Sequence, residues 1–206
     1  MADQSVAVER AEPAAAQQGG GRPTLETLGV FGAVFVLQQL GGLVGFGREW
    51  FALAAPLGAR PWTLVTSVYA HSGLGHLLGN ALAFALLGLI LERASSRRRF
   101  HGFVLATGMI AGIVQVVVSG LVGTPTAVLG ASGAVFAMLG YVITANRVTT
   151  TLIGRFDIDE RTQLAAFVVF AGLLTIMTGT ERAALVAHFT GLFIGLLAGR
   201  ARLLRI

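Results

Sequence analysis

No cysteine occurs among the 206 residues, so disulfides and thiolate metal sites are excluded. Lysine is missing too, and all 15 basic residues are arginine. Charged residues make up 12% of the chain, against about 25% in soluble domains. No aspartate falls within a long apolar run, which excludes an intramembrane aspartyl pair. Instead the chain is 54% hydrophobic with a mean hydropathy of +0.75, the composition of a polytopic membrane protein. The net charge of +5 does not point to nucleic acid, because most arginines sit in short connections beside apolar runs, where topology accounts for them. His-Glu-x-x-His is absent, and His71 and His76 are five apart, off a common helix face. Neither a metal nor any other cofactor is expected.

Residues 1–24 are rich in Ala, Gln, Gly and Pro and lack a basic head followed by an apolar core. They are expected to form a disordered cytoplasmic tail and not a signal peptide. Residues 25–206 are expected to form one all-α membrane domain of six transmembrane helices, at about Leu28–Phe46, Ser72–Leu91, Gly102–Leu121, Ser132–Ala145, Gln163–Thr178 and Ala183–Gly199. Arginines crowd the connection after the second span (Arg93, Arg97–Arg99), the one after the fourth (Arg147, Arg155, Arg161) and the tail (Arg200, Arg202, Arg205). The positive-inside rule then places both termini in the cytoplasm and opens the other ends of these spans to the outer side. The first connection, about Gly47 to Thr66, holds Trp50 and Trp62 and reads as a segment lying in the headgroup region.

The fourth span is short. Gly123-Thr124-Pro125-Thr126 prevents a helix from running unbroken into it, since proline cannot donate a backbone hydrogen bond. A helix from Ser132 to Ala145 is only about 22 Å long against a hydrocarbon core of roughly 30 Å. Its start is therefore expected inside the membrane, where non-helical backbone survives only if it is buried in protein or lines a wet cavity.

Polar side chains within spans are costly and mark functional hypotheses. His76 and Asn80 share a face of the second span, four residues apart. Asn80 and His188 fall at roughly 12 Å and 8 Å depth on the outer side, a level shared with Ser132. Gly191 and Gly195 lie on roughly the His188 face, and Gly133, Ala137 and Gly140 line the fourth span; such small-residue surfaces allow the close helix approach that a short serine needs to reach an imidazole. A serine hydroxyl becomes a nucleophile when a base takes its proton, and His188 is a base of the right type, with His76 the other. The resulting oxyanion requires donors, available from His76, Asn80 and the Ser132 backbone N–H at a helix N-terminus. His101, beside Arg97–Arg99 at the inner interface, is given no role.

Three blocks, His71-x4-His76-x3-Asn80, Gly130-Ala131-Ser132-Gly133 and Ala187-His188-x2-Gly191-x3-Gly195, fall on the second, fourth and sixth spans. In this the chain resembles the rhomboid family of intramembrane serine proteases, over about Trp62 to Gly199. The resemblance implies the six-span fold, Ser132 as nucleophile, His188 as general base, His76 and Asn80 at the oxyanion site, and Gly130, Gly133, Phe136 and Gly191 in support. It also implies a prokaryotic cell-membrane protein that cleaves the transmembrane segments of other proteins near the outer face. Two positions depart from the family's habit. Phe136 stands where a tyrosine often follows the nucleophile by one turn, and Trp62 is followed by Thr63 where arginine is frequent. The competing classes are a rhomboid-like protein that binds membrane clients without cleaving them, and a small transporter or proton-conducting bundle relaying through His71, His76 and His188. Non-catalytic relatives typically lack the serine or the histidine, and a relay needs titratable groups in the inner half of these spans, where none continues.

Overall fold

The computed structural model describes residues 22–145, 159–178 and 185–204, with the side chains of Glu160 and of residues 172–178 left aside. Among the described residues every regular element is helical. They are α1 (Pro23–Leu43), α2 (Thr63–Tyr69), α3 (Leu74–Leu91), α4 (Arg97–Leu121), α5 (Ser132–Ala145), α6 (Glu160–Thr178) and α7 (Leu185–Arg200), with 3-10 turns at Arg48–Trp50 and Glu92–Ala94. The tail up to residue 21 and the connections bearing Arg147, Arg155, Glu181 and Arg182 lie outside the described residues.

Local signals explain the helix starts. α1 opens on Pro23, two residues inside the stretch expected to be tail, and the Thr24 N–H, orphaned at the helix start, donates to Glu92 Oε2 at 3.1 Å. α4 begins at Arg97, five residues before its apolar run, because the Ser96 hydroxyl caps it by accepting from the Arg99 N–H. Asp159 does the same for α6, accepting from the Arg161 and Thr162 N–H groups at 2.9 and 3.1 Å. α5 keeps the expected bounds, since the glycine- and proline-bearing segment before it cannot be helical.

α1, α3 with its 3-10 extension, and α4 are long and apolar enough to cross a membrane; α5, α7 and the apolar part of α6 (Arg161–Ala171) are shorter. α3 turns Leu74, Leu78, Leu82, Leu86 and Ile90 outward as one exposed stripe, and α1 exposes Val36, Leu37, Leu40 and Leu43. Exposed apolar stripes on helices of this length suit lipid, not water. The opposite faces build a core around Phe31, Phe84 and Phe100, whose rings meet edge to face at 5.2 and 6.0 Å.

The most extensive helix pair is α5 with α7. Gly191 packs on the Gly133 carbonyl, Gly195 on that of Ala137, and Gly140 against the Leu196 N–H, so any Cβ at these glycines would enter the neighbouring backbone. Thr144 Oγ1 lies 2.9 Å from the Leu196 carbonyl and 3.0 Å from that of Gly140. With no hydrophobic drive between helices in lipid, such small-residue seams and interhelical hydrogen bonds set the spacing.

The first connection is more ordered than an interfacial loop needs to be. Trp50 and Trp62 stack at 5.9 Å, Trp62 Nε1 donates to the Trp50 carbonyl, and the Arg60 guanidinium lies over the Trp50 ring at 5.3 Å. Leu53 exchanges two backbone hydrogen bonds with Val128 (2.8 and 2.9 Å), tying this connection to the segment leading into α5. At the other end of the bundle His101 has a partner after all. Its Nε2 lies 2.8 Å from Glu26 Oε2, which also binds Arg97 Nε at 2.8 Å, and this joins α1 to α4.

Candidate active site

The extended segment before α5 is held by the Gly130 N–H, which donates to the Ser67 carbonyl at 2.8 Å. Gly130 has φ +125°, a conformation that a side chain would strain. It is also pressed against the second-span block. A Cβ built there would stand 2.7 Å from His76 Cε1, 2.9 Å from His76 Nε2 and 3.9 Å from Asn80 Nδ2. His76 and Asn80 thus converge two residues before Ser132. Asn80 is buried, and one of its amide hydrogens goes to the His76 carbonyl at 3.1 Å.

Ser132 is the first residue of α5, with its N–H among the orphan donors of the helix start. It lines a small cavity of about 40 Å³ with Ser67, Gly130, Gly133 and Ala187 among its neighbours. Four residues on, and so on the same face, Phe136 stacks flat on the His188 ring, centroids 4.4 Å apart and planes at 15°. Below this pair, Gly191 meets the Gly133 carbonyl, and Gly133 meets Ala111 of α4. The structure therefore gathers Ser132, His188, His76, Asn80, Gly130, Gly133, Phe136 and Gly191 at one end of the bundle. His188 Nδ1 is buried with no hydrogen-bond partner among the described residues. No carboxylate among the described residues hydrogen-bonds Nδ1, and the contact that the ring makes is the Phe136 face.

His71 is separate. Fully buried, it sends Nδ1 back to the Tyr69 carbonyl at 3.0 Å and receives the Gln38 side-chain oxygen on its own N–H at 3.0 Å. It meets Phe31 and His76 edge-on, a packing role. Gln115 belongs to none of the three sequence blocks. This buried α4 side chain accepts the Ala187 N–H at 3.0 Å and so fixes the start of α7 one residue before His188. A lone glutamine within an apolar run was the available signal.

Among the described residues no group of acids, histidines or cysteines could hold a metal. What the site can do follows from its groups: a hydroxyl, an imidazole and several N–H donors meet at a helix start on glycine-lined backbone.

Apolar helices, outward leucine stripes and this polar cluster define the class, a helical integral membrane protein. The rhomboid domain profile matches residues 58–205, and the chain belongs to the rhomboid family. It is 34% identical over 151 residues to rhomboid protease GluP of Bacillus subtilis, covering 68% of this chain and 28% of that protein. To the putative rhomboid protease YdcA of Bacillus subtilis it is 29% identical over 136 residues, 66% of this chain and 64% of the relative. Against rhomboid protease GlpG of Haemophilus influenzae the figures are 30% over 139 residues, 67% and 68%. The chain thus spans less than two thirds of the length of GluP and of YdcA.

Proposed function

We propose that this protein is an intramembrane serine endopeptidase that cleaves transmembrane segments of other membrane proteins near the outer face. Ser132 Oγ attacks the scissile carbonyl while His188 takes its proton. The Ser132 N–H, His76 and Asn80 receive the oxyanion. His188 then returns the proton to the leaving amine, and water, deprotonated by the same imidazole, hydrolyses the acyl-enzyme. Without an acidic partner at Nδ1, the imidazolium formed in each step draws on the Phe136 face, a cation–π contact.

The observation that supports this reading best is the convergence of α3 and α7 on the start of α5. His188 stacks one turn along from Ser132, and His76 with Asn80 closes on Gly130. On this reading α5, α6 and α7 complete six spans, α5 starts below the outer surface, both termini are cytoplasmic, and the site opens outward. Family membership and the likeness to rhomboid proteases support proteolysis, and the intact serine and histidine argue against a client-binding role. A histidine relay gains no support: His71 meets His76 edge-on, but no titratable residue continues into the inner half of these spans. The test is cleavage of a transmembrane reporter in proteoliposomes: turnover by the parent and none by Ser132→Ala or His188→Ala, all equally expressed. Turnover persisting in Ser132→Ala would remove the nucleophile assignment.

A further inference from the structure

Ser72 stands just before Gly73, the residue that caps α3, and it grips His76 from behind. Its backbone N–H lies 3.4 Å from His76 Nδ1 and its hydroxyl oxygen 3.0 Å from the same atom. The arrangement copies the reach-back of a capping box, in which a side chain in the first helical turn accepts an N–H from the residues entering the helix. Here an imidazole stands in for the usual glutamate or glutamine.

A backbone N–H can only donate, so Nδ1 must present its lone pair. A neutral imidazole carries one proton, which then resides on Nε2. Nε2 and its neighbour Cε1 are the ring edge packed against Gly130, 2.9 and 2.7 Å from where a Cβ would stand, with Asn80 Nδ2 at 3.9 Å from the same point. We propose that Ser72 is a positioning residue, holding His76 as the Nε2–H tautomer with that N–H turned toward the Gly130–Ser132 turn. The inference rests on the oxyanion role given to His76 above. With the proton on Nδ1, His76 would turn a lone pair toward the developing negative charge and oppose the reaction.

Ser72 is exposed, on the wall of an open cavity of about 520 Å³ shared with Gln38, Gln39, Arg48 and His71. Loss of its hydroxyl therefore leaves no packed void, and Ser72→Ala is expected to fold. Long-range nitrogen–proton NMR on the full chain with labelled histidine, assigned with His76→Gln, reads the tautomer directly. The parent should show His76 protonated on Nε2, and Ser72→Ala, which loses the 3.0 Å hydroxyl contact and keeps only the longer 3.4 Å backbone one, should shift part of the population to the Nδ1–H tautomer. In the reporter assay Ser72→Ala should lower kcat about three- to tenfold, the size of one neutral hydrogen bond, with KM unchanged. Ser72→Thr should restore kcat, and Ser72→Ala should add no loss in a His76→Gln background. A parent His76 protonated on Nδ1, or an equal loss in both backgrounds, overturns the assignment. Absence of hydrolysis by the parent would sink the protease reading instead, and the NMR spectrum would still decide whether Ser72 sets the tautomer.

Discussion

The His188 imidazole lies flat on the Phe136 ring, 4.4 Å between centroids, while its Nδ1 is buried without a hydrogen-bond partner among the described residues. A base in a hydrolase usually has a polar group behind it to fix its orientation and steady its positive form. On the proposed mechanism the Phe136 face does both, and the consequences can be measured.

Phe136→Leu should leave the fold intact but lose the flat contact and the cation–π stabilisation of the imidazolium, lowering kcat about tenfold. Phe136→Tyr preserves the ring and should hold kcat within about threefold of the parent. Single-turnover kinetics on a transmembrane reporter separates the two. A Leu variant as active as the parent would show that the stack is packing alone.

Asn80→Ala removes a donor that closes on Gly130 with His76. If that donor meets the oxyanion, kcat should fall by about 10²–10³-fold with little change in KM. Unchanged turnover would reduce Asn80 to holding the His76 carbonyl.

Gly191→Ala drives a methyl group into the Gly133 carbonyl, one residue beyond Ser132. Overpacking of this kind costs roughly 1–3 kcal/mol, and here relief requires α5 and α7 to separate. The variant should unfold at lower temperature and lose most of its turnover. Gly29→Ala, where the added Cβ meets nothing within 4 Å, is the control and should change neither.

How far the sequence carried these conclusions depended on whether the cause was local. The start of α5 was legible because Gly123, Pro125 and Gly130 interrupt any helix before Ser132, and the apolar runs marked the helices of the bundle. The capped starts of α4 and α6 were legible in principle from Ser96 and Asp159, but counting apolar residues alone placed them several positions late. α2 was hidden because its seven residues, Thr63–Tyr69, are too few and too β-branched to read as helical, and tertiary contacts decide them. Among the site residues, types and spacing pointed to Ser132, His188, His76 and Asn80. Nothing local could reveal that Gln115 pins Ala187, that Ser72 holds His76 Nδ1, or that Leu53 pairs with Val128. Those contacts join parts of the chain, or choose among rotamers, only once the helices have packed.

On the proposed mechanism the Ser132 hydroxyl is activated by His188 in a hollow that water can reach. Labelling of the full chain in membranes with a serine-directed fluorophosphonate tests it without a known substrate. The parent should take up one label per chain, at Ser132, and Ser132→Ala and His188→Ala should take up none. Equal labelling of the parent and Ser132→Ala, or a parent that does not react while correctly folded, would contradict it.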